Sequence, residues 1–189
     1  MKPIVAVIGD SKIRSGETSK GHLAFELGQR LVDEGFRIQT GGLGGIMEKV
    51  FQGAKASLHY KEGATIAIVP SFNSGDANSY ADIVIPTGLD LLRNGIVVNS
   101  DAVIALGGGA GTLSEIAFAW QLFKLIIAFD NVGGWSAKLA DTKIDDRQRY
   151  ADIDDDRIYK VSSVDECINV LKTYIGKYTR VHTGIKKRI

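Results

Sequence analysis

The residues best suited to chemistry lie between positions 93 and 115. Gly107-Gly108-Gly109-Ala110-Gly111-Thr112 places four glycines and a hydroxyl in six positions. The apolar run 101–106 before it reads as a buried parallel strand, and the apolar-periodic run 113–125 after it reads as a helix. A strand, a glycine turn and a helix start form an anion-binding arrangement. Bare backbone N–H groups face outward, and the helix dipole favours negative charge there. Gly108, Gly109, Gly111 and Thr112 are the candidate phosphate contacts. Glu115 is expected in the first turn of the helix, beside whatever the phosphate is attached to. Arg93, upstream in Thr87-Gly-Leu-Asp-Leu-Leu-Arg-Asn-Gly95, is the candidate cation. Its guanidinium suits bidentate recognition of phosphate or carboxylate. Taken alone, a surface arginine is the commoner reading of Arg93.

Two further loops share this character. Gly9-Asp10-Ser11 closes the apolar run 3–8. Gly41-Gly42-Leu43-Gly44-Gly45 closes the run 36–40. In a doubly wound sheet such loops gather at one edge and surround a nucleotide. A single glycine turn also serves close packing without a ligand; three in one chain favour a site. Gly107 to Thr112 does not match G-x-G-x-x-G, because Thr112 stands at the third glycine, and it lacks the lysine of a P-loop.

The elements that must position these loops alternate between strand and helix. Helices are expected over 23–35, 46–54, 89–99 and 164–175, and further strands over 64–69, 82–86, 126–129 and 158–161. Residues 138–156 are acidic and carry no clear pattern. This alternation predicts an α/β, Rossmann-like three-layer domain with a mainly parallel sheet. One domain is expected over 1–175, followed by a basic tail over 176–189 that includes Lys177, Arg180, Lys186, Lys187 and Arg188 and reads as solvated.

Bulk properties exclude several classes. The 189 residues are 44% hydrophobic and 24% charged, with a formal net charge of +1. That balance makes nucleic acid an improbable partner. No apolar run approaches the ~18 residues of a membrane span, and no leader pattern opens the chain. Cys167, the single cysteine, excludes an internal disulfide and fits a reducing, cytoplasmic setting. His22, His59 and His182 show no ligand spacing, so no metal site is expected. Trp120 and Trp135 read as packing residues, with Trp135 able to flank a pocket. The run 113–125 is apolar on more than one face, which leaves Phe118, Trp120 or Leu122 for a second subunit.

These motifs resemble the Lonely-guy superfamily, long labelled lysine decarboxylases. Its motif P-G-G-x-G-T-x-x-E corresponds to Gly107 through Glu115, with the leading proline replaced by Gly107. Its upstream arginine, usually followed by lysine, corresponds to Arg93 followed by Asn94. The Arg-Asn form, with Thr87-Gly88 before it, is similar to the subgroup that includes molybdenum-cofactor carrier proteins. The resemblance implies a Rossmann-like domain that forms a homodimer or higher homo-oligomer. In hydrolytic members the corresponding arginine and glutamate promote N-glycosidic cleavage of nucleoside 5′-monophosphates. Arg93 and Glu115 would then be catalytic, with the glycine loop and Thr112 holding the phosphate and no cofactor required. In carrier members the same cavity binds a phosphorylated pterin, the molybdenum cofactor, without turnover. A nucleotide-sensing role is a third reading.

Overall fold

A computed structural model describes residues 2–184. Seven strands form one sheet: β1 (Ile4–Gly9), β2 (Arg37–Thr40), β3 (Thr65–Val69), β4 (Ile83–Pro86), β5 (Ala102–Leu106), β6 (Leu125–Phe129) and β7 (Ile158–Val161). Their spatial order is β4-β3-β2-β1-β5-β6-β7, and every pairing is parallel. Parallel strands need crossovers, and these cover both faces. The strands are therefore apolar at consecutive positions: β3, β5 and β6 are buried throughout.

Successive side chains point to opposite faces. Val5 and Val7 join the layer of α1 (Thr18–Asp33), α2 (Ile46–Ala56) and α6 (Val164–Tyr174). Ala6 and Ile8 join the layer of α3 (Asn94–Val97), α4 (Ala110–Gln121) and α5 (Gly134–Leu139). Cys167 is buried in the first of these layers. The chain runs outward from β1 to β4, returns to β5 beside β1, and then runs the other way. The strand order thus reverses between β1 and β5, where their carboxyl ends leave a crevice.

Several elements differ from expectation. The segment 89–99 is a 3₁₀ turn over Asp90–Arg93 followed by the single helical turn α3. Asp90 has φ 49°, outside the helical region, so regular α-helix begins only at Asn94. The result buries Arg93 and leaves Leu91 and Leu92 exposed. Helix α4 starts three residues early and stops at Gln121. Phe123, at φ 61°, ends it and releases Leu125 into β6. Glu115 consequently lies in the second turn of α4, not the first. α5 has no counterpart in the sequence pattern.

Chain beyond Ile175 packs in part. Tyr178 is buried and donates to Asp156 Oδ1 at 2.7 Å. Arg180 donates to the Arg149 carbonyl and lies 4.0 Å from the Phe123 ring centre. Lys186, Lys187 and Arg188 lie outside the described residues. Among the described residues no helix is long and apolar enough to cross a membrane.

Candidate functional site

A cavity of about 710 Å³ opens at the carboxyl edge of the sheet, over the β1–β5 crevice. Gly9, Asp10, Ser11, Gly41, Arg93, Gly108, Gly109, Gly111, Thr112 and Glu115 all line it. Three loops distant in sequence thus meet at one strand edge. Gly42, Gly44 and Gly45 do not line it. Gly45 instead fits against the 10–11 turn, where a Cβ would come 2.3 Å from the Asp10 carbonyl oxygen, and Ile46 N–H donates to that same oxygen.

The glycine turn after β5 has a defined shape. Gly107 and Gly108 have φ 68° and 92°, in the left-handed region open to glycine. A proline, fixed near φ −65°, cannot occupy position 107 in this turn. That is the physical content of the departure from the motif. The turn is held from outside by α5. Gly107 N–H donates to Ser136 Oγ at 2.7 Å, Ser136 N–H donates to the Gly107 carbonyl, and Trp135 N–H donates to the Gly108 carbonyl. Trp135 itself does not line the cavity; Lys138 lies over its ring.

Gly109 caps α4 in an extended conformation. The first intrahelical bond runs from Leu113 N–H to the Gly109 carbonyl. The N–H groups of Ala110, Gly111 and Thr112 therefore have no partner within the helix. A Cβ at Gly109 or at Gly111 would meet nothing within 4 Å. Amides without a partner in the helix thus cluster at the positive end of a 12-residue helix whose Gly109, Gly111 and Thr112 line the cavity. The Thr112 hydroxyl reaches the Gly9 carbonyl at 3.4 Å and packs against Gly108.

Arg93 and Glu115 occupy the same wall. Each is about nine-tenths buried, at 9% and 8% exposure. Arg93 Nη1 lies 3.5 Å from Glu115 Oε1. Space for the guanidinium comes from Gly41, whose absent Cβ would stand 2.8 Å from Nη2. Burial pushes the Glu115 carboxyl up to about 7, against the opposing pull of Arg93. Burial likewise lowers Arg93, with Glu115 and Asp90 opposing.

Lys20, Ser114 and Ser136 escaped sequence reasoning, and Asn94 was visible only as the residue after Arg93. Lys20, buried in the first turn of α1, donates to Asp10 Oδ2 at 2.8 Å and Glu17 Oε1 at 3.2 Å, and all three line the cavity. The ten-residue separation of Asp10 and Lys20 carries no recognisable pattern. Asn94, Ser114 and Ser136 make hydrogen bonds that only tertiary contact creates. The Arg-Asn pair was the one visible signal among them.

The SLOG cluster4 family model matches residues 2–168. The chain belongs to the SLOG cluster4 family. Within this SLOG setting, the molybdenum cofactor binding protein of the phototrophic bacterium Rippkaea orientalis is 35% identical. Its TM-score is 0.72, with 93% of this chain and 98% of that one covered. The molybdenum cofactor carrier protein of Chlamydomonas reinhardtii is 26% identical, with TM-score 0.73 and coverage of 93% and 99%. An uncharacterized protein of Archaeoglobus fulgidus is 43% identical over 105 residues, which is 55% of this chain and 66% of that relative. The SLOG fold and the carrier-like kinship expected from the glycine, Arg93 and Glu115 motifs are thereby established.

Proposed function

We propose that the protein binds and carries a phosphorylated small-molecule cofactor of the molybdenum-cofactor type. The observation that carries this reading is the start of α4, where unpartnered amides and the open sides of Gly109 and Gly111 face the 710 Å³ cavity. A phosphate fits there by both charge and shape. The rest of the cavity accommodates the body of the ligand, with Arg93 as a second cationic contact. The two carrier-type neighbours support this ligand class over a plain nucleotide. The bound molecule is cargo on this reading. We place the protein in the cytoplasm, a reducing setting in keeping with its single cysteine, Cys167.

Hydrolysis of a nucleoside 5′-monophosphate is the second reading, favoured by one observation. A carboxyl titrating near 7 beside an arginine is suited to acid–base work at neutral pH. With phosphate on the glycine loop, Glu115 stands a turn deeper, beside the sugar. Protonated, it would donate to a departing base. Ionised, it would stabilise oxocarbenium charge on the ribose and take the proton of the water that adds at the ribose carbon in place of the base.

We also propose a homodimer. Of the residues expected at a subunit contact Trp120 is buried, whereas Phe118 is exposed at 39% and is joined on the helical layer that carries the site by Leu92 at 77% and Ile96 at 43%. The helix expected over 89–99 is reduced there to two short turns, so this face is thinly covered. A two-fold contact would bury it.

Mass spectrometry of small molecules released from the purified protein tests the main reading. A phosphorylated pterin at near-stoichiometric amount is the expected result. Protein that carries no phosphorylated compound, and that binds neither inorganic phosphate nor AMP in calorimetry, overturns it.

A further inference from the structure

The guanidinium of Arg93 has five N–H donors. Nη1 donates to Asn94 Oδ1. Its approach to Glu115 Oε1, at 3.5 Å, is a charge contact without a hydrogen bond. Nε is buried and has no hydrogen-bond partner among the described residues. A buried arginine beside a buried carboxyl would ordinarily form a two-pronged ion pair. Here something holds it off.

That restraint is the side chain of Asn94, and its orientation is determined. Asn94 Nδ2 donates to Ser114 Oγ at 2.7 Å, and Ser114 Oγ donates to the Gly111 carbonyl at 2.7 Å. With its proton committed to Gly111, the Ser114 oxygen is left to accept. Asn94 must therefore offer its NH₂ to Ser114 and its carbonyl oxygen to Arg93. The chain Arg93–Asn94–Ser114–Gly111 ties the arginine to the first turn of α4, next to the amides that face the cavity.

We infer that Asn94, oriented by Ser114, is a positioning residue that holds Arg93 on a neutral amide and prevents it from closing into a hydrogen-bonded pair with Glu115. The inference rests on reading Arg93 and Glu115 as the working pair of the site. Its consequence is that the guanidinium keeps donors for an anionic ligand while Glu115 stays able to take up a proton near neutrality. The other charged groups around the cavity do not replace Arg93 in this. Lys20 is paired with Asp10 and Glu17, Lys12 and Arg14 are exposed, and Asp90 acts on Arg93 rather than on Glu115.

Carboxyl ¹³C NMR measures the Glu115 titration directly, with Glu115→Gln assigning the signal. In the wild type the midpoint is expected at about 7. In Ser114→Ala the Asn94 amide is free to turn, the guanidinium closes on Glu115, and the midpoint falls by about one pH unit or more. Affinity for inorganic phosphate, measured by calorimetry at pH 7, falls about tenfold in the same variant. Ser114→Thr keeps the hydroxyl and restores both. A wild-type midpoint below 5, an unmoved midpoint in Ser114→Ala, or a Thr variant identical to the Ala variant overturns the assignment. The wild-type midpoint does not depend on Ser114→Ala, so poor folding of that variant does not shield the idea. The titration reads the positioning, whereas the phosphate isotherm of the wild type reads the ligand, so the two failures are separable.

Discussion

Arg93 Nη1 and Glu115 Oε1 stand 3.5 Å apart, both on side chains about nine-tenths buried, and they share no hydrogen bond. The pair is close enough for each charge to feel the other, yet burial dominates Glu115 and raises it from 4.5 to about 7. The folded protein therefore holds this proton more tightly than the unfolded chain does.

The first prediction follows from that sign. Stability from the Glu115 proton is fully present below pH 4.5 and is lost as pH rises through about 7. Glu115→Gln, which cannot ionise, removes this dependence. Urea unfolding at pH 5 and pH 8 should show the variant gaining on the wild type at pH 8 by roughly 1–3 kcal/mol. Equal differences at both pH values would refute the raised carboxyl.

Gly109 and Gly108 should respond in opposite ways. Gly109 has open space at its Cβ position and an ordinary φ of −100°. Gly109→Val should fold with nearly unchanged stability and lose phosphate affinity by at least about tenfold. Gly108 has φ 92°, and its Cβ would meet Thr112 Oγ1 at 2.2 Å. Gly108→Ala should therefore lower stability, by about 1–3 kcal/mol. Thermal unfolding and calorimetry on the two variants separate a binding role from a folding role.

Turnover distinguishes carrier from hydrolase. If the protein cleaves a nucleoside monophosphate, Glu115→Gln should slow release of the base by ~10²–10³ while leaving affinity near wild type. Arg93→Ala should lower both. Chromatography of a nucleotide panel supplies the measurement. Wild-type protein that binds a nucleotide and releases no base leaves the carrier reading standing alone.

The exposed apolar face gives an assembly prediction. Leu92→Asp with Phe118→Glu places two charges on the proposed contact. Light scattering should report a dimer for the wild type and 20.4 kDa for the double variant. A wild-type monomer at micromolar concentration would remove the proposal.

Stability on the far side of α4 rests on a buried pair. Arg149, 1% exposed, donates from Nε to Asp156 Oδ2 at 2.9 Å, lies 3.7 Å from the Trp120 ring centre, and donates to the Lys124 carbonyl just beyond the helix. Asp156→Ala leaves that guanidinium unpaired in the core and should cost about 3–5 kcal/mol. Denaturant unfolding checks it; a loss below 1 kcal/mol would show the pair to be dispensable.

The sequence by itself determined the fold class and the three loops. Periodicity reports burial, and β1, β3, β5 and β6 are apolar because both their faces are covered. Glycines marked all three turns: Gly42, Gly45, Gly107 and Gly108 take positive φ, which side chains disfavour, and Gly9 leaves room for the Leu106 carbonyl. Local pattern was weaker wherever backbone geometry was decided by contacts. The left-handed Asp90 and Phe123 reset the start of the 89–99 run and the end of the 113–125 run; a phenylalanine does not announce a positive φ, and an aspartate does so only weakly. Tyr178 looked like part of a solvated basic tail, yet it is buried on Asp156, since one aromatic anchor outweighs flanking charge. The tertiary structure alone decided the chemistry of the site. Asn94 and Ser114 are 20 positions apart, and Gly107 and Ser136 are 29 apart. Their hydrogen bonds exist because α3, α4 and α5 share one face of the sheet. Burial of Glu115, which sets its proton affinity, is likewise a property of that assembly and has no trace in the order of residues.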